Sequence, residues 1–185
     1  MQVEFRKTGE RRYAVIIHRD NLPNLEMNPA PGFDPLIPHD LLHFLVEQEL
    51  GLKNAIFGQI AVGGTAGTFQ PKPTESKHTR TDARQRRKIN KKGSKMLRNG
   101  TDECAQSERA TFYCLQNWFE NSTDIELRAR AETMKATAQS VYGTMTESEK
   151  LRLNKDKLAE IRRRMDDLSR RWSALTVNQS LMLDW

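Results

Sequence analysis

Cysteine is scarce in this chain: Cys104 and Cys114 are the only two in 185 residues. Ten residues apart on one helix, they would stand about 15 Å from each other along its axis. A disulfide needs Cα atoms within roughly 7 Å, so neither a disulfide framework nor a Cys-based zinc site fits. Long apolar runs are missing too. The most apolar stretch, Ile56 to Val62, is interrupted by Gly58 and Gln59, and nothing approaches the roughly 18 apolar residues of a membrane span. Met1 to Arg12 alternates charge with single apolar residues and lacks the apolar stretch of a signal peptide. These absences lead to the expectation of a cytoplasmic protein with no membrane span.

Acidic residues are nearly absent from Lys77 to Arg98, where Asp82 stands against ten Lys and Arg. The segment carries +9 of a net +6, leaving −3 for the rest. Between Gly64 and Gly100 the only large apolar residues are Phe69, Ile89, Met96 and Leu97. So little apolar surface cannot offset the entropy of ordering. The expectation is a single α+β domain over 1–185, with a flexible, disordered basic insertion at 64–100. Arg84, Arg86, Arg87, Lys88, Lys91 and Lys92 are candidate nucleic-acid contacts, acting without sequence preference through counterion release. No aromatic residue lies between Lys77 and Gly100, so base stacking is not on offer. The other role for the segment is solubility.

Period-two alternation marks the ends of the chain. Val3 and Phe5, then Tyr13, Val15 and Ile17, flank the turn-like Thr8-Gly9-Glu10 and predict an N-terminal hairpin. Leu181, Leu183 and Trp185 predict a final strand. An isolated hairpin is marginal, so that strand is expected to join it, with Val3, Val15, Leu183 and Trp185 on the face against helices. Asn21 to Pro38 holds five prolines and reads as an extended, rigid connection. Helices are expected to start near Pro38, Thr101, Asp124 and Thr146, the last with the capping box Thr146-Glu147-Ser148-Glu149. The fold class that follows is α+β, a small antiparallel sheet (N-terminal hairpin plus C-terminal strand) packed on a helical bundle.

From Leu151 to Leu175, apolar residues three and four apart miss only at Asn154. Glu160–Arg164 and Arg162–Asp166 are spaced as i,i+4 pairs. Heptad spacing makes helix 151–175 a candidate for pairing with itself or a partner, and packing within the chain is the competing use.

The segment His39-Asp40-Leu41-Leu42-His43 carries the chemical lead. On a helix, His39 and His43 face the same way one turn apart, and Glu47 follows one turn later. His39, His43 and Glu47 are candidate ligands of a metal, zinc by donor type, with one position left open. Asp40 projects about 100° away and is a candidate for orienting a ligand. His18, at a strand end, is a further candidate. The competing reading needs no metal: Asp40 complements the helix dipole, and His43 is a histidine satisfied near the core. Zinc proteases use His-Glu-x-x-His with the Glu as general base. Asp40 is one methylene shorter, so no protease is expected, and whether the chain is an enzyme stays open.

His39, Asp40 and His43 resemble the His-Asp-x-x-His motif of a ubiquinone-biosynthesis family. There the motif is associated with zinc, and the protein acts in coenzyme Q synthesis. That family's following Glu falls here on Ala55. Gly58-Gln59-Ile60-Ala61 is similar to its Gly-Glu-Ile-Ala with Gln59 in place of Glu. The resemblance spans about 25 residues. The longer string Pro38 to Glu47 is similar to a group of uncharacterised bacterial proteins, which implies no activity. Three functional expectations result: a helix-borne His/Asp/Glu site for a metal or small ligand, a nucleic-acid-associated protein using 77–98, and an interaction protein using helix 151–175.

Overall fold

The computed structural model describes residues 1–20, 22–72 and 98–185, together with Arg87, Lys91, Gly93, Lys95 and Met96. β1 (Gln2–Gly9) and β2 (Arg12–His18) form the expected hairpin. Its register sets Val3 opposite Ile17 and Phe5 opposite Val15. β5 (Ser180–Asp184) runs antiparallel on the other edge of β1, with Leu183 opposite Val3 and Leu181 opposite Phe5. Directly paired residues share a face, so Val3, Phe5, Val15, Ile17 and Leu181 form one buried apolar surface. The class is α+β, as expected.

The sheet is wider than the sequence suggested. β3 (Leu25–Ala30) pairs with β2, and the two-residue β4 (Gln70–Pro71) pairs with β3, giving the order β4-β3-β2-β1-β5. The supposed proline-rich connection thus contains a strand. Pro29 lies beyond the Leu25 and Glu26 that β4 covers, and on the β2 side it falls in the register shift between the Val15–Met27 and Tyr13–Ala30 pairs, an edge and bulge position where a strand tolerates proline.

Helices cover the apolar face. α1 (His39–Leu50) places Phe44 edge-on to Phe5, with ring centroids 5.9 Å apart. α2 (Ile56–Ala61) brings Phe57 edge-on to Phe44 at 5.3 Å. α3 (Thr101–Glu120) and α4 (Ile125–Thr144) form a helical hairpin, with the Asp124 side chain capping α4. α5 (Glu147–Arg152) opens on the expected capping box: the Thr146 hydroxyl accepts from the Glu149 amide, and the Glu149 carboxylate accepts from the Thr146 amide at 2.6 Å.

The helix expected to run through Leu151 is two helices. Asn154 caps α6 (Lys155–Ser173) by accepting from the Lys157 amide at 2.9 Å, so the one misfit in the heptad pattern is the junction. Ile161, Met165, Leu168 and Trp172 are buried in the chain's own core, and Trp172 packs edge-on to Tyr13 at 5.9 Å. The stripe offered as a partner face is therefore already covered, and only Leu151, 75% exposed, stands clear of it. The expected i,i+4 pairs are also replaced. Arg164 reaches Glu49 at 2.5 Å and Gln48 at 2.7 Å on α1. Arg162 reaches Asn117, and Asp166 accepts from the Trp118 indole.

Much of the basic insertion expected at 64–100 lies outside the described residues. Its first residues do not, and they belong to the body: Thr65, Ala66 and Phe69 are buried. A turn through Ala66 and Gly67, both at positive φ, returns the chain to β4. At the other end, Gly93 lies so near Thr65 that a Cβ there would sit 2.3 Å from the Thr65 hydroxyl oxygen. Arg19 is buried with its guanidinium on the carbonyls of Pro23, Ile60 and Gly64. Among the described residues, no helix is long and apolar enough to cross a membrane.

Glu149 links α5 to α3 through Arg109 at 2.5 Å. Burial alone would raise its pKa, but the Thr146 amide and hydroxyl and the Arg109 guanidinium outweigh burial and hold it below the usual value of 4.5. A lowered folded-state pKa stabilises above the unfolded value, and that stabilisation is lost as pH falls through the folded one. Glu149→Gln should therefore cost about 1 kcal/mol at pH 7 and nothing once the native carboxylate is protonated. Urea titrations at neutral and acid pH check this, and an equal deficit at both would contradict it.

Candidate metal centre

Pro38 is the N-cap of α1, its carbonyl accepting from the Leu42 amide at 3.1 Å, and the His39 amide donates to Gly32 O at 3.0 Å. The helix is buried on most sides, and its buried residues include Asp40, His43 and Glu47. His39 and His43 lie as their spacing predicts, ring centroids 4.5 Å apart and planes inclined by 54°.

The third member of the cluster comes from α3. One donor atom from each of His39, His43 and Glu108 lies within 4.8 Å of the others. His43 Nε2 stands 3.6 Å from Glu108 Oε2. Metal–ligand bonds of about 2.0–2.1 Å at tetrahedral angles put neighbouring ligands about 3.3 Å apart, so small side-chain movements bring these atoms to a common cation. His43 is 1% exposed, whereas the Glu108 side chain is 64% exposed and His39 is also exposed. The cluster thus has a buried base and an open mouth.

Glu47, the expected third ligand, is elsewhere. Wholly buried, it accepts from the Phe57 amide at 2.9 Å, the Ile56 amide at 3.3 Å and the Ser107 hydroxyl at 2.8 Å. It thereby caps α2, whose own N-cap, Ala55, has no side-chain acceptor. Burial pushes its pKa up to about 7 against the pull of those donors and of His43. The Ser107 oxygen also lies 2.8 Å from His43 Nδ1, with the Thr111 hydroxyl at 3.4 Å.

Asp40 is bonded to the Tyr13 hydroxyl, which also lies 2.5 Å from Pro31 O. Burial raises the Asp40 pKa, with Tyr13 and the two histidines opposing. Burial, then Asp40, raises that of Tyr13. Asp40 therefore ties α1 to the sheet. His18 is on the opposite sheet face, its Nε2 2.8 Å from Glu4. Gln59 donates to Asn54 O at 2.6 Å and to Cys104 at 3.7 Å, away from the cluster. Of the basic candidates, Arg84, Arg86, Lys88 and Lys92 lie outside the described residues, and Arg87 and Lys91 are exposed.

Electrostatics suits the cluster to a cation. Glu108 is held below the usual carboxylate range by His43 first, with burial opposing and His39 assisting. Burial, then His43, pushes His39 below the ordinary imidazole value. A carboxylate held ionised thus stands beside His39, an imidazole disposed to be neutral, and those are the states in which the two kinds of group bind metal. Three ligands on the protein side leave a position for water or a small molecule. Glu108 was missed because it is 65 residues from His43 and reads as an ordinary polar position on α3; its place depends on α3 crossing α1. Comparison with family models, curated proteins and solved structures returns no match.

Proposed function

We propose that this chain is a metal-binding protein whose His39, His43 and Glu108 hold one divalent cation, zinc by donor set, with a coordination position open to solvent. The observation that carries the reading is His43 Nε2. It is a buried nitrogen with no hydrogen-bond partner; Glu108 Oε2 stands 3.6 Å from it, and a His39 nitrogen completes a set of three donors within 4.8 Å of one another. A buried polar atom left unpaired costs roughly 1–3 kcal/mol, and a cation at this point would remove that cost. Two imidazoles and a carboxylate suit zinc, and the open position is where a small ligand would bind. The cluster joins α1 to α3, so the ion would also clamp the two helices.

The purified protein should take up close to one equivalent of zinc. At zinc about 100-fold above Kd, the fold should gain about 2.7 kcal/mol. His39→Ala, at an exposed position, should fold normally and bind at least tenfold more weakly; His43→Ala should abolish uptake. Calorimetric titration with chelator-treated protein checks this. A folded protein that takes up neither zinc, nickel nor manganese ends the reading.

Asp40→Asn separates the metal centre from its surroundings. The Asp40 bond goes to Tyr13, not to a histidine, so zinc affinity should stay within about threefold, with a stability loss of about 1 kcal/mol or less. A 10- to 100-fold loss of affinity would instead make Asp40 an orienting group.

A further inference from the structure

Ser107 has one hydroxyl proton, and it is donated to Glu47 Oε1 at 2.8 Å. The Ser107 oxygen, 2.8 Å from His43 Nδ1, is then left to accept, and a neutral imidazole has one N–H to give. This arrangement calls for that N–H on Nδ1, which leaves the lone pair on Nε2, the buried atom without a partner that faces Glu108. Glu47 is itself fixed by the first amides of α2, Phe57 at 2.9 Å and Ile56 at 3.3 Å. A backbone element thus anchors a carboxylate, the carboxylate orients a hydroxyl, and the hydroxyl sets the imidazole.

We infer that Ser107 and Glu47 are positioning residues of the metal centre: together they hold His43 in the Nδ1–H tautomer and aim its Nε2 lone pair between His39 and Glu108. This inference deepens the metal reading and rests on it. Without the relay, the ring gains by turning Nε2 into the donor, because the Glu108 carboxylate lies 3.6 Å away. A protonated Nε2 cannot take a cation. Neighbouring bonds of this kind contribute 10- to 100-fold to metal affinity. Thr111, at 3.4 Å from the same Nδ1, is a poorer substitute acceptor, so removing Ser107 alone leaves part of the function.

The test uses the full chain, with 15N-labelled histidine, first metal-free and then titrated with zinc against a chelator of known affinity. The metal-free protein should show a pyrrole-type Nδ1 and a pyridine-type Nε2 for His43. Ser107→Ala combined with Thr111→Val should lose that pattern and bind zinc 10- to 100-fold more weakly. Ser107→Thr, which keeps the hydroxyl, should retain both. An Nε2–H tautomer in the unsubstituted protein overturns the inference and needs no variant to show it. So does unchanged zinc affinity in a double variant with native far-ultraviolet dichroism. An Nδ1–H tautomer in a protein that takes up no zinc supports the relay and overturns the metal reading it serves.

Discussion

The structure depends on one helix being buried almost all round while carrying titratable side chains. α1 lies between the sheet and α3, and nine of its twelve residues are buried. Leu41, Phe44 and Leu45 supply the apolar contact. His43 and Glu47 sit among them at 1% and 0% exposure. A buried polar group costs several kcal/mol unless it is bonded, so each of these side chains dictates what must stand opposite it. Glu47 requires donors and takes them from α2 and Ser107. Asp40 takes Tyr13 from the sheet. His43 is satisfied on one nitrogen only, and the second faces His39 and Glu108.

That asymmetry is the feature on which the proposed metal centre rests. A histidine kept for packing would satisfy both nitrogens or be replaced by an apolar residue of similar volume. Here one nitrogen is bonded within the core, and the other points toward a carboxylate held ionised and a second imidazole. Exposure of His39 and Glu108 lets an ion enter without opening the core. The network also ties His43 to the start of α2 through Glu47, so the same carboxylate serves a helix end and, through Ser107, an imidazole.

Local pattern was legible and long-range pairing was not. The hairpin, the β5 strand, the helix starts and the Thr146 capping box all rest on residues within a few positions of one another. β3 escaped because Pro29 and a short, weakly alternating Leu25–Ala30 look like a connection; only pairing with β2 makes them a strand. Asn154 was visible as a misfit, and its meaning as a cap became clear only in three dimensions. In the candidate site, the His39–His43 geometry follows from helical spacing alone. Spacing puts Glu47 on the same face as His43, but in the structure its carboxylate is taken by Ser107 and the bare N-terminus of α2, on the Nδ1 side of that ring. Glu108 and Ser107 carry no local signal, since they enter the site only through the crossing of α1 and α3.

In the proposed centre a cation fills the gap beside His43 Nε2. X-ray absorption at the zinc edge, on protein loaded with one equivalent, tests it most directly. The expected spectrum shows two imidazole nitrogens and a carboxylate oxygen at about 2.0–2.1 Å, with a light-atom fourth ligand, and loss of one imidazole in the His39→Ala protein. A shell of oxygens alone, a sulfur ligand near 2.3 Å, or a spectrum unchanged by that substitution would contradict it.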